Sequence, residues 1–268
     1  MNIFQRAKIR YILHHHAIAY RLWRDLSADM PCLRGLDAVK RTRLRIFSTL
    51  FLHEKHFVAV QGLVLTEAMR VVIAVQACLP VLELGFNCLS GWTNVVVYPA
   101  AFCVNRDSVD AAGVVHHEKR VLVGESWSRG PLVVSWLDVE QGGRAAHSGH
   151  NVVIHEIAHK LDNLNGKTNG FPPLHPNMSV SEWTAVFSRA YRHLEDQLEH
   201  RQHTWIDSYA ASSPAEFFAV ASESFFCAPE TLHGHFADVY KQLQLYYRQD
   251  PRARQQTQTR GHSINVAY

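Results

Sequence analysis

The residues most able to do chemistry lie in NVVIHEIAHKLD, 151–162, which contains His155-Glu156-Ile157-Ala158-His159. On a helix, positions i and i+4 stand one above the other on the same face. Two imidazoles so placed can bind one Zn²⁺ through bonds of about 2.0–2.1 Å, and the glutamate between them sits beside the metal without ligating it. That is the position of a general base. Zinc lowers the pKa of a coordinated water toward about 7 and polarises a scissile carbonyl. Glu156 would take the water's proton and return it to the leaving amine. The pattern therefore points to metal-assisted hydrolysis. The alternative is two surface histidines and a glutamate on an amphipathic helix.

A catalytic zinc needs a third protein ligand and an open position. One class of zinc peptidase continues the motif with a glycine and a histidine three and six residues after the second histidine. Asp162 and Asn165 stand there instead, so that class is excluded. A carboxylate from a later helix remains. SSPAEFFAVASESFF offers Glu216 and Glu223, which are seven apart and share a face. Glu216 has a second reading as the carboxylate of a capping box begun by Ser213, and Glu223 as a solvated helix residue. Spacing does not choose between them. A donor must also stabilise the tetrahedral oxyanion. Tyr209 is a candidate, against the plainer reading of a packed tyrosine with a satisfied hydroxyl.

These side chains need a scaffold. The motif helix is expected over about Ser148 to Leu164, with Val153, Ile157, Leu161 and Leu164 along one apolar face and the histidines turned away from it. Gly142, Gly143 and Gly149 read as the loop before it. A second helix opens at Ser179 with a reciprocal Ser179–Glu182 capping box, and its stripe runs from Trp183 to Leu198. A third starts at Ser213-Pro214 and runs to about Cys227. A last one spans about His235 to Arg248. Upstream, a helix follows Asp37 and another runs from about Thr66 toward Pro80. TNVVVYP (93–99), Lys119–Val123 and Pro131–Trp136 read as strands. Ile9, Ile12, Leu13 and Tyr20 can share the face of one docked N-terminal helix, with a membrane-surface or nucleic-acid arm as the rival reading of that basic stretch. His14, His15 and His16 cannot all bind one metal from a single helix turn.

Composition sets outer limits. The chain has 268 residues, 47% hydrophobic and 19% charged, which excludes extensive disorder. A formal charge of +3 is too balanced to imply nucleic acid. Eighteen histidines raise the prospect of metal or proton chemistry. Cys32, Cys78, Cys88, Cys103 and Cys227 are odd in number and scattered, which favours a reduced, cytoplasmic protein over a disulfide framework. The most apolar stretch, Val71 to Leu84, is too short and too interrupted to span a bilayer. The basic N-terminus lacks the apolar region of a secretory signal.

The sequence also resembles the Mlc titration factor A type of zinc peptidase. The resemblance rests on LPVLELG (79–85), VVVYPAAF (95–102), GVVHHEKRV (113–121), GPLVVSWLD (130–138), NVVIHEIAHKLDNLNG (151–166), SYAASSPAEFFAVASESFF (208–226) and YYRQDP (246–251), and covers most of residues 55–251. It implies a cytoplasmic zinc metallopeptidase of gluzincin-like fold with aminopeptidase activity on small substrates. It implies Glu216 as third ligand, Tyr209 as oxyanion donor, and His116 as a residue able to approach the metal in a closed state. It further implies binding to the repressor Mlc and relief of repression of the glucose phosphotransferase system.

The expectation is thus an α+β, zincin-like metallopeptidase, mainly helical, with a small mixed sheet beside the H-E-x-x-H helix. Residues 1–54 form an N-terminal helical segment, 55–251 the metallopeptidase domain and 252–268 a polar, flexible tail. His155, His159, Glu216 and His116 are the metal residues for one Zn²⁺, and Glu156 and Tyr209 the catalytic ones. The substrate is a peptide; Mlc is a partner; a membrane span and nucleic acid are not expected. The rival is a regulatory module that sequesters a transcription factor, its zinc structural or inhibitory.

Overall fold

The computed structural model describes residues 3–100, 102–109, 115–122, 124–126, 130–144 and 149–256, with side chains for 4–100, 130–144 and 149–256. The described elements are α1 (Ile3–His15), α2 (Tyr20–Ala28), α3 (Ala38–Glu54), β1 (His56–Ala59), α4 (Glu67–Cys78), β2 (Asn94–Tyr98), β3 (Phe102–Val109), β4 (Val115–Leu122), β5 (Gly124–Ser126), β6 (Leu132–Ser135), α5 (Trp136–Arg144), α6 (Val152–Asp162), α7 (Val180–Glu199), α8 (Pro214–Cys227), α9 (Pro229–His235) and α10 (Ala237–Tyr247).

The sheet has the order β1-β2-β6-β5. β1, β2 and β6 run parallel, and β5 closes the edge antiparallel to β6. β3 and β4 pair separately as an antiparallel ribbon. Burial alternates along the central strands. Val95, Val97, Leu132 and Val134 are fully buried, while Val96, Tyr98 and Val133 lie half-buried on the opposite face. One face of the sheet therefore supports the helical layer, as expected where β-strands bury their apolar side under helices. The architecture is α+β and mostly helical, with a small mixed sheet.

One apolar cluster joins Ile18, Trp23, Leu44 and Phe51 to the strand valines, to Val153, Ile157 and Leu161 of α6, and to Phe217, Phe218, Phe225 and Phe226 of α8. The helices before residue 54 thus share a core with the rest of the chain. Two N-terminal helices replace the single one expected. Ile12 is buried, but the chain leaves the helix after His15, and Tyr20 is exposed on α2.

Three further expectations are corrected. Helix α6 begins at Val152, because Asn151 caps it by accepting the Ile154 amide at 3.0 Å, and Leu164 lies beyond its end and exposed. Ser148 lies outside the described residues. Gly142 and Gly143 are inside α5, not in a loop. A Cβ on Gly142 would come within 2.9 Å of the His150 carbonyl oxygen, and one on Gly143 within 2.6 Å of the Gln76 amide nitrogen. They are small so that α5 can lie against α4 and the entry to α6. The last expected helix is present as α10, and a short helix that was not expected, α9, precedes it. Beyond α10, residues 251–256 are helical and held, with Arg254 donating to the Cys32 carbonyl and Gln256 to Glu230.

Other local readings agree with the structure. Asp37 and Thr66 cap α3 and α4, and Ser213 caps α8 with Pro214 at its first position. Of the reciprocal Ser179–Glu182 box only one half forms: Ser179 accepts the Glu182 amide at 3.2 Å, while the Glu182 carboxylate accepts instead from Gln242, joining α7 to α10.

Gly170 ties three helices together. Its N–H donates to Asp162 at the end of α6 (2.7 Å), and its carbonyl accepts from the Trp183 indole of α7 (3.2 Å). Its φ is +76°, and a Cβ there would meet the Pro214 carbonyl oxygen of α8 at 2.4 Å. Left-handed backbone and a fixed backbone neighbour both demand glycine. Gly170→Ala should destabilise the fold by about 2–4 kcal/mol, combining positive-φ strain with overpacking. Urea denaturation reads this directly, and an unchanged midpoint would contradict the close approach.

Candidate metal centre

Helix α6 carries the motif, and it is buried on nearly every side. Val152 to Asp162 are all buried except His155, which is partly so. Val153, Ile157 and Leu161 face the core. The opposite side, bearing the histidines, meets α8 rather than water.

His155 Nε2, His159 Nε2 and Glu216 Oε2 form a near-equilateral triangle. The two imidazole nitrogens are 3.1 Å apart, and they lie 3.1 Å and 3.2 Å from the carboxylate oxygen. Donor atoms on a tetrahedral ion with bonds of 2.0–2.1 Å stand about 3.3 Å apart. Three acceptor-capable atoms converging this closely need positive charge among them, and one shared proton cannot serve all three contacts. Among the described residues these are the only three His, Cys, Asp or Glu side chains that converge in this way. The donor set and its spacing fit zinc.

Glu223 takes a different position. Its Oε1 lies 2.7 Å from His155 Nδ1, and its Oε2 accepts the Asn151 amide at 2.6 Å. With Nδ1–H donating to Glu223, the Nε2 lone pair of His155 faces the triangle. The same carboxylate thereby orients a metal-facing ring and satisfies an amide at the start of α6. The seven-residue spacing put both acids on the correct face; only the packing of α8 on α6 assigns their places. Ser213 still caps α8 by accepting the Glu216 amide at 3.2 Å, while the Glu216 carboxylate turns to the histidines.

Glu156 is almost wholly buried, and its Oε2 has no hydrogen-bond partner among the described atoms. Burial raises its carboxyl to about 8; His155 and Lys160 oppose the shift, and Glu216 and Glu223 add to it. Burial also pushes the Glu216 carboxyl upward, but hydrogen bonds and charge from both histidines overcome this and hold it well below the ordinary range. His155 moves the other way. Burial disfavours its charged form, yet Glu223 and Glu216 raise it well above the usual imidazole value. A cation among these groups would favour the ionised form of Glu156.

Lys160 follows His159 and is buried, its Nζ donating to the Gly130 carbonyl at 2.8 Å at the entry to β6. Lys55 donates to the carbonyls of Leu89 and Trp92 and lies 3.8 Å from the Trp92 ring centroid. Lys160 approaches the same ring at 5.5 Å. Burial lowers both lysines to about 8. Sequence reasoning singled out neither, since a lysine stem carries no local signal of burial.

Tyr209 stands at the rim, 45% exposed, with its ring centroid 6.3 Å from that of His155. Its backbone N–H donates to Asp207. His116 lies on β4 opposite Ser108, and its side chain is outside the described residues.

A family model described as glucose-regulated metallo-peptidase M90 matches residues 3–248. The chain is also similar to proteins named Mlc titration factor A. The one from Klebsiella pneumoniae subsp. pneumoniae is 41% identical over 234 residues, 87% of each chain. That from Serratia proteamaculans is 40% identical over 247 residues, 91% of this chain and 93% of the relative. That from Yersinia pestis is 40% identical over 235 residues, 87% and 86% respectively.

The geometry separates the two acids experimentally. Glu216→Ala, like His155→Ala and His159→Ala, should abolish stoichiometric zinc binding. Glu223→Ala should retain a site weakened about tenfold to a hundredfold, as for loss of a partner that orients a ligand. Chelator competition measures both. Loss of zinc in Glu223→Ala with retention in Glu216→Ala would reverse the assignment.

Proposed function

The chain belongs to the glucose-regulated metallo-peptidase M90 family, and from that premise we propose that it is a zinc-dependent, aminopeptidase-like hydrolase of peptide bonds that also binds the repressor Mlc. The observation that carries the enzymatic reading is the His155–His159–Glu216 triangle with the buried Glu156 beside it. His155, His159 and Glu216 would hold one Zn²⁺ in a gluzincin-like, zincin-type site. Bound there, the metal supplies a Lewis acid for the scissile carbonyl and makes water nucleophilic near neutral pH.

The chain's own residues perform the remaining work. Glu156 takes a proton from the attacking water and passes it to the leaving amine. Its burial suits this, because a carboxylate lifted toward neutral pH can both accept and return a proton. Tyr209 donates its hydroxyl proton to the developing oxyanion from the open rim, where a substrate can reach it. Glu223 keeps His155 in the tautomer and orientation that ligation requires. His116 approaching the metal would close the site by taking the position that water needs.

Mlc as a partner rests on the printed name of the relatives, Mlc titration factor A. The same name favours a second reading, in which sequestering Mlc, and through it glucose phosphotransferase expression, is the main task and zinc is structural or inhibitory. A cytoplasmic protein fits both. Among the described residues no helix is long and apolar enough to cross a membrane, and Cys32, Cys78, Cys88 and Cys227 are free thiols.

Glu156→Gln separates the readings. It should keep its zinc and its affinity for Mlc while kcat/KM on a panel of fluorogenic aminoacyl amides falls about 10²- to 10⁴-fold. Full activity in this variant would remove Glu156 as the base. Tyr209→Phe should lower kcat by about 10²-fold with KM little changed, as for loss of one oxyanion donor. A rise in KM alone would make Tyr209 a substrate contact instead.

A further inference from the structure

The run His14-His15-His16 takes no part in the metal centre. As the spacing requires, its three rings do not converge. The His15 ring packs tilted against Tyr11 at 4.5 Å between centroids and lies 4.6 Å from that of His14, while His16 meets Tyr11 edge-on at 6.2 Å. His16 departs from them. It follows the last residue of α1, its amide donating to the Ile12 carbonyl at 2.8 Å, and its ring meets that of His53 in the last turn of α3 at 5.2 Å. Both imidazoles are exposed. Among the described residues neither ring has a hydrogen-bond or ion-pair partner.

We propose that His16 and His53 form a second, exchangeable site for an imidazole-preferring divalent ion such as Ni²⁺, Cu²⁺ or Zn²⁺. Two elements remote in sequence present the rings at contact distance. Nitrogens sharing one ion at 2.0–2.1 Å stand about 3–4 Å apart, and exposed rings reach that spacing by rotation about their side-chain bonds at small cost. Neutral imidazole suits these ions. No third ligand converges here, since the only three-residue group among the described residues is the one at α6 and α8. Water therefore completes the coordination, and the site is weaker than the triangle and open to exchange.

The attachment of α1 gives the site a physical consequence. Among the described side chains of α1 only Ile12 is buried, with Ile9 and Leu13 half-buried, and the Lys8–Glu54 ion pair is long at 3.8 Å and exposed. A metal bridge between His16 and His53 would tie the end of α1 to the end of α3.

The test is calorimetric titration of zinc-loaded, untagged full-length protein with Ni²⁺, with released zinc measured in parallel. One equivalent of Ni²⁺ should bind without zinc release. His16→Ala and His53→Ala should each weaken it at least tenfold, and His14→Ala should leave it unchanged. Ni²⁺ should also slow amide hydrogen exchange in α1 of the parent protein but not of His53→Ala. Undiminished binding in His16→Ala and His53→Ala, stoichiometric zinc release, or an equal loss in His14→Ala would overturn the proposal. Because both side chains are exposed, circular dichroism of the variants should match the parent.

Discussion

Three carboxylates and two imidazoles lie together, buried or partly buried, where α6 meets α8, and their surroundings keep most of them compensated. An ionised group taken out of water is tolerated only when it is paired and hydrogen-bonded. Glu223 answers this with His155 and the Asn151 amide, and Glu216 with both histidines. Glu156 has no such partner for its Oε2 and is driven toward its neutral form. The acid of the three with a buried, unpartnered oxygen is the one whose proposed work is to move a proton. Stability and chemistry therefore draw on the same electrostatics.

Much of this was legible in the chain because the signals are local. Ser213-Pro214, Thr66 and Asp37 announce helix starts through side chains that satisfy amides a few residues away, whereas the expected start of α6 is Ser148 and not its cap, Asn151. Val95, Val96 and Val97 announce a strand as a β-branched run ended by Pro99. The H-E-x-x-H spacing announces a ligand pair because a helix turns every 3.6 residues. What stayed hidden depends on contacts between distant segments. Glu216 and Glu223 share a face, and no local rule says which one reaches the histidines and which one reaches behind them. Gly142 and Gly143 look like turn residues, yet they are small for packing, and sequence carries no mark that separates the two uses. The environment of the histidine face of α6 was hidden for the same reason: its polar side chains meet other polar side chains in the interior.

The N-terminal helices also read differently in three dimensions. Their basic and histidine-rich composition left an arm as the rival to a docked helix, and α1 is mostly exposed. Yet Trp23 of α2 and Leu44 and Phe51 of α3 belong to the same apolar cluster as α6. The family match likewise begins at residue 3. The apolar periodicity is strong in the short α2 but weak in α1 and α3, so the sequence of those two carries little mark of the face that is buried.

The contact of Gly170 with both the end of α6 and the start of α8 has a topological consequence. Asp162 and Pro214 are brought to the same point, so residues 171–213, including the whole of α7, form an excursion that leaves and returns through a closed base. Closing a longer loop adds only a logarithmic entropy cost. The span of the metal-facing side chains is thus set below the base of the excursion. Lengthening its exposed far end, around the turn at Arg201, would alter the silhouette of the molecule while leaving the distance from His159 to Glu216 where it is. In this fold, surface variation and site geometry can drift independently.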